Sequence, residues 1–538
     1  MVLQNNKVVY ITTHQRGKDT MLNMGYFLIN SANTYPDKTA LVCEDKRISY
    51  SQLNIRAAKL ANSLIELGVK KGDKVAYLFP NCIELVETYF AIQKIGAVAV
   101  PLNHRLVFSE IRYLLESADC SIFFYSEKYR DIAIECGGTS IDVLKQCICT
   151  TDNPSEVELG YEQFLANGAE VEPDIEVSND DLCRIQFTGG TTGIPKGVMH
   201  THEQDALTML SLLTQTKIGT VPDEVVMAQS PMNHHGGYTW VMCAIAAGCT
   251  YVMQDKFDSK KILEAIEREK VTYLLLLPPS SYLRLTQSDH MKEYDVSSIK
   301  VIQTSAGGTS KEIANAVFQN FPNAEMHYGW AQTESGVGTK LILTRDMDID
   351  SELFNSIGSP AGLIELKIID DRGVEVPEGA VGECVVKGPT IMSGYYGQPE
   401  LTEKTFCGKW LHTGDMLYKK NGYYYMVGRK TDMVKTGGEN VYSKDVESVL
   451  LSNPCIAECA VVGIRDDKWG EAIAAVIRPC EGKTITCEDL LKYCKCNMAS
   501  YKKPKYICIT TDPIADSAGK INKSRISEKY VFNCITED

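Results

Sequence analysis

The chain of 538 residues, 44% of them hydrophobic, is several times the length of one typical domain and can bury more than one core. A net charge of −14, with 55 Lys and Arg residues scattered rather than clustered, excludes the basic footprint of a nucleic-acid binder. Its 19 cysteines include no Cys-x-x-Cys, and the close pairs Cys147/Cys149, Cys455/Cys459 and Cys494/Cys496 lack the paired spacing of a zinc site; they read as reduced thiols, and the expected location is cytoplasmic.

From the N-terminus, Met1 to Gly17 reads as a polar leader without the apolar centre of a signal peptide. Val75–Phe79 then reads as a strand. Ile83–Ile95 reads as a helix with apolar Leu85, Val86, Tyr89 and Ile92, stopped by Gly96, and Ala97–Val100 as the next strand, which makes a βαβ unit. Ser109 is the expected cap of a short helix before the strand Ser121–Tyr125, and the strand pattern returns at Val271–Leu277 and Lys300–Ser305. The most apolar stretch, Tyr238 to Met253, is shorter than the roughly 20 residues a membrane helix needs, and Gly248 interrupts it, so no integral membrane segment is expected. This predicts an α/β region over residues 1–429. Beyond it the texture changes: a helix at Ser443–Leu451, strands near Ile456–Val462 and Ala472–Ile477, a helix near Leu490 and a strand at Tyr506–Thr510 predict a small α+β domain over 430–538.

The run Thr188-Gly189-Gly190-Thr191-Thr192-Gly193-Ile194-Pro195-Lys196-Gly197 has the makings of a phosphate cradle. Its glycines allow tight turns that expose backbone N–H groups, its threonines offer hydroxyls, and Lys196 adds positive charge. It is not a Walker A loop, because Gly197 rather than Ser or Thr follows the lysine, and it does not fit a dinucleotide fingerprint.

The run resembles the phosphate-loop signature of the superfamily of acyl-CoA synthetases, peptide-synthetase adenylation domains and firefly luciferase. Further segments match it in order: Thr304 to Gly308, with Gly307 and Gly308 expected against adenine; Trp330-Ala331-Gln332-Thr333-Glu334; Thr413-Gly414-Asp415; Gly428-Arg429 through Gly438-Glu439-Asn440; and Gly519-Lys520 near the end. The resemblance covers roughly residues 30 to 525. It implies ATP, Mg²⁺ and coenzyme A, with a small-molecule carboxylic acid attacking the α-phosphorus of ATP.

By that resemblance Glu334 is the metal-associated carboxylate and Thr333 a hydrogen-bond donor to the α-phosphate. Asp415 would accept from the ribose hydroxyls, a role suited to an acceptor-only carboxylate, while Arg429 would donate to the same sugar. Lys520 would stabilise charge as the mixed anhydride forms. The small domain would turn about Lys430 or Thr431, withdrawing Lys520 and bringing Gly437 and Gly438 to the pantetheine arm, with Lys435 taking part in the second step. His234 matches a segment at the acyl pocket, and Trp240 and Val337 are candidate pocket-lining residues.

The sequence departs from the family pattern in several places. Gly189 stands where many relatives carry serine, Trp330 at the usual tyrosine and Ala331 at the usual glycine, and Thr431 at the hinge. Trp330 would still offer adenine an aromatic face. The reading is an acid–CoA ligase for a medium- to long-chain fatty acid or an aromatic acid, working as a monomer or homodimer. One alternative is an adenylating enzyme that loads an acyl carrier protein; another is a silent nucleotide-binding protein.

Overall fold

The computed structural model describes residues 23–138, 141, 144–188, 195–219, 223–305, 310–436, 439–466, 469–515 and 521–534, and the two short paired strands Val2–Gln4 and Lys7–Val9 within the leader. The expected βαβ unit is present as the strand Lys74–Leu78, the helix Ile83–Lys94 and the strand Val98–Pro101, with Gly96 at φ 66° ending the helix. The two strands pair in parallel and anchor an eight-stranded sheet. One edge of that sheet is the antiparallel hairpin Leu182–Thr188 and Lys196–Thr201, followed by the short strand Gly394–Tyr395.

A nine-stranded sheet runs beside it, with Val225–Gln229, Tyr273–Leu276, Val301–Thr304 and Glu325–Tyr328 parallel at its centre and Thr339–Leu343 antiparallel at one side. Parallel strands need cover on both faces, which their near-continuous apolar sequences anticipate. The most apolar stretch divides into the helix His235–Ala246 and the strand Thr250–Met253, separated by Gly248 at φ 69°. Among the described residues, no helix is long and apolar enough to cross a membrane.

One detail corrects the sequence reading. The helix expected to start at Ser109 is Phe108–Ser117, so Ser109 lies within its first turn. Its start is fixed instead by the Glu110 carboxylate, which accepts from the Val107 N–H at 3.1 Å. The α/β region up to Arg429 has sheets of mixed kind: besides the two large sheets, Glu365–Ile369, Gly382–Lys387, Phe406–Cys407, Trp410–Lys420 and Tyr423–Arg429 form a separate antiparallel one.

Past a 3₁₀ turn at Lys430–Asp432, a six-stranded sheet is built wholly from residues between Met433 and Cys534, with the helices Ser443–Leu451 and Cys487–Asn497. Its apolar clusters draw only on this part of the chain, among them Val434, Val461, Ile473, Leu490 and Ile507. The cysteines of the described residues are free thiols, mostly buried or half-buried, with Cys407 and Cys496 exposed.

Candidate active site

Thr333 and Glu334 sit at the tip of a miniature hairpin, Ala331–Gln332 against Gly336–Val337. Gly336 closes it at φ 73°, a conformation glycine adopts without strain, and an added Cβ would meet Thr208 Oγ1 at 3.1 Å. Each carbonyl of the tip is held from elsewhere. His200 Nε2–H donates to Thr333 O at 2.8 Å, the Met392 N–H to Glu334 O at 2.9 Å, and Thr390 Oγ1 to Ser335 O at 2.9 Å. Holding the backbone this way leaves the side chains of Thr333 and Glu334 available to a ligand.

The candidate phosphate run connects the strands Leu182–Thr188 and Lys196–Thr201, with Thr188 and Lys196 as register partners at its two ends. Lys196 Nζ lies 5.3 Å from the centroid of the Tyr395 ring, and Tyr395 Oη donates to Glu334 Oε1 at 3.3 Å. Cradle and carboxylate therefore flank one aromatic ring. Among the described residues no cation lies within ion-pair distance of Glu334, and no group of three or more His, Cys, Asp or Glu could enclose a metal ion. That suits Mg²⁺, which is commonly held by one or two carboxylates together with substrate phosphates.

Asp415 is fully buried on the strand Trp410–Lys420, opposite Arg429 in the ladder. Its Oδ2 accepts from Trp330 Nε1–H at 2.8 Å and from Gln332 Nε2–H at 2.7 Å. Its Oδ1 lies 2.8 Å from Arg429 Nε but has no aligned hydrogen bond, which leaves an acceptor unfilled. Burial pushes this carboxyl up, while Arg429, Trp330 and Gln332 pull it back. The Trp330 indole is buried where Gly338 makes room for it, since a Cβ there would come within 2.2 Å of the ring. Trp330 thus meets Asp415 through its indole N–H, a contact the sequence reading did not foresee. Lys444 is another unforeseen neighbour: burial lowers its ammonium pKa and the charge of Asp415 opposes that.

On the far side of Trp330 a narrow cleft of about 70 Å³ opens between the nine-stranded sheet and the helices His202–Thr216 and His235–Ala246. Trp240 and Val337, the pocket-lining candidates, both line it, as do Gln215, Gln303 and Lys340. His235 lines it and His234 does not; His234 precedes the helix, with Nε2 3.5 Å from Asn103 Nδ2.

Beneath the hairpin tip lies a buried network with no signature in the sequence. Arg184, fully buried, donates twice to Asp205, through Nε at 3.0 Å and Nη2 at 2.8 Å, and Tyr238 Oη donates to the same carboxylate at 2.9 Å. A buried charge persists only when paired and hydrogen-bonded in this way. Burial and then Arg184 push His200 down to about 4 and hold His235 well below its usual range, so both rings are neutral.

Gly189, Gly190, Thr191, Thr192, Gly193, Gly307, Gly308, Gly437, Gly438 and Lys520 lie outside the described residues. Lys435 is exposed on the strand Met433–Thr436. Lys430, at the expected hinge, reaches back to Glu383 at 2.9 Å and Asp371 at 3.3 Å.

The family model described as AMP-binding enzyme matches residues 28–396, and that of the AMP-binding enzyme C-terminal domain matches 445–519. A feruloyl-CoA synthase of Amycolatopsis sp. is 30% identical over 510 residues, covering 94% of this chain and 99% of its own. The long-chain-fatty-acid–CoA ligase FadD13 of Mycobacterium tuberculosis is 31% identical over 519 residues, with 95% and 99% covered. Among solved structures, ATP-bound MatB from Rhodopseudomonas palustris superposes with a TM-score of 0.84 at 27% identity, covering 95% of this chain and 99% of that one.

Proposed function

The chain belongs to the AMP-binding enzyme family, and on that footing we propose that it is an AMP-forming acid–CoA ligase using ATP, Mg²⁺ and coenzyme A. The acid's carboxylate attacks the α-phosphorus of ATP, pyrophosphate leaves, and the CoA thiol then displaces AMP from the acyl-adenylate. The observation that carries this reading is the convergence on the Thr333–Glu334 hairpin of two groups: Lys196 at the end of the phosphate run, through the Tyr395 ring, and the Asp415–Arg429 pair, through Trp330 and Gln332.

In this reading, Oδ1 of Asp415 accepts from the ribose and Arg429 donates beside it. Thr333 steadies the α-phosphate, while Lys196 and the cradle neutralise the leaving pyrophosphate. Such transfers depend mainly on positioning and charge neutralisation. Glu334 would hold Mg²⁺, and the ion, when bound, offsets charge on the polyphosphate. Lys520 supplies positive charge at the forming anhydride. The chain from residue 430 onward turns about Lys430 and Thr431 for the thioester step, bringing Gly438 and Lys435 to coenzyme A. The protein works in the cytoplasm as a monomer or homodimer.

The cleft beside Trp330 takes the acyl group. Its compactness favours an aromatic or other short acid over a medium- to long-chain fatty acid.

The direct test is acid-dependent pyrophosphate release from ATP and Mg²⁺ over a panel of aromatic and fatty acids, with and without coenzyme A. Thioester formation with an acid is the expected result. Release without thioester would replace coenzyme A by an acyl carrier protein as acceptor, and no release with any acid would overturn the reading. Lys520→Ala should slow adenylation by about 10²–10³ while ATP still binds; normal release by this variant would remove Lys520 from the mechanism.

A further inference from the structure

The cleft is not apolar to its end. Along the nine-stranded sheet, Gln303 pairs with His327, and His327 pairs with Ile342 on the strand that also carries Lys340. Partners in a ladder, and residues two apart on a strand, share a face, so Gln303, His327 and Lys340 stand in one polar row on the same face of the sheet. Lys340 and Gln303 both line it.

The charges in this row do not cancel. Glu325 takes Lys217 Nζ at 2.8 Å and His327 Nε2 at 2.7 Å on the same oxygen. Burial pushes His327 down to about 4, so its ring is neutral. Glu325 is thus already engaged by Lys217. Lys340, half-buried, has no carboxylate within ion-pair distance among the described residues; burial and then Lys217 lower its ammonium pKa, and the more distant charge of Glu325 offsets them only in part. A partly desolvated ammonium without a counter-ion is costly, and a ligand that supplies one regains that cost as affinity.

We infer that Lys340 is a specificity residue that selects acids carrying a second anionic group, a carboxylate, on the tail remote from the reacting carboxylate. The inference rests on the proposed reading of the cleft as the acyl site. The selected acid is compact and charged at both ends. Its second carboxylate pairs with Lys340 while the first stays at the nucleotide side of Trp330.

The test uses matched acids, benzoate against terephthalate and butyrate against glutarate, measured as kcat/KM for pyrophosphate release. The wild-type protein should prefer the diacid of each pair by about tenfold or more. Lys340→Met should cut that ratio by at least tenfold, and Lys340→Arg should restore most of it. A wild-type preference for the monoacids, or a ratio that Lys340→Met leaves unmoved, would overturn the inference. Should no acid release pyrophosphate, the ligase reading fails by itself. Calorimetric binding of the same pairs to the wild-type and Lys340→Met proteins then decides the role of Lys340 separately, by the same criterion of a diacid preference that requires the lysine.

Discussion

The two sides of Trp330 are built on opposite plans. On the proposed nucleotide side, most polar groups are tied to one another before any ligand arrives, Oδ2 of Asp415 to Trp330 and Gln332 and the hairpin tip to His200, Thr390 and Met392, with Oδ1 of Asp415 left open beside Arg429. On the acyl side, a cleft gathers single residues from separate helices and strands and leaves Lys340 without a counter-ion among the described residues. A site for an invariant ligand can be held rigid by its own hydrogen bonds, with few acceptors left open for that ligand. One for a variable ligand gains selectivity from what it leaves unpaired.

The sharpest way to break the nucleotide side is Asp415→Ala. It strips two buried donors of their acceptor and leaves Arg429 without its partner, so adenylation kcat/KM should fall by about 10²–10³. The loss should appear equally with every acid tested. An acid-dependent loss would mean that the two sides are not separate.

The next effect compares them through pH. His200 under the nucleotide side and His327 under the acyl side are each held near 4, against about 6.5 in an unfolded chain. Between those values the unfolded chain binds more protons than the folded one, so stability rises with pH across this window. Lowering pH from 7 to 5 should cost about 2 kcal/mol for each histidine. Denaturant titrations over this range should show the slope, and His200→Gln and His327→Gln should each remove about one proton's share.

A smaller effect is expected from Gly338→Ala, because Trp330 is the wall common to both sides. With the indole 2.2 Å from the new methyl group, the ring must shift, at a cost of about 1–3 kcal/mol in unfolding free energy. KM should rise for ATP and for the acid together. A rise for only one would assign Trp330 to that side alone.

The same contrast governs what could be read from sequence. Asp415, Arg429 and the Thr333–Glu334 pair stood out in the sequence because each lies in a short contiguous motif that resembles a family signature, and the fold brings them together. The βαβ unit at residues 74–101 was legible from apolar periodicity and the stop at Gly96. The fit of Trp330 to Gly338 left no local trace, since it depends on how a hairpin folds back rather than on spacing. Nor did the Arg184–Asp205 pair, whose sequence looks like an ordinary charged strand and helix start until burial reveals it. Of the cleft, Trp240 and Val337 were anticipated, but Lys340 was not, because a lysine in an apolar strand usually marks a solvated edge.

Lys430 gives the proposed turning point a threshold. Its ammonium is tied to Glu383 on the preceding sheet and to Asp371 in the turn after the strand Glu365–Ile369, and the same lysine stands one residue beyond Arg429, the ladder partner of Asp415. Any swing of the chain at this point must surrender both ion pairs. Because the Lys430 and Asp371 side chains are substantially exposed, counter-ions in the solvent compete for them and lower the barrier. On the proposed turning at this point, the tempo of the exchange between the two half-reactions would fall under the control of ionic strength, a property of the medium rather than of either substrate.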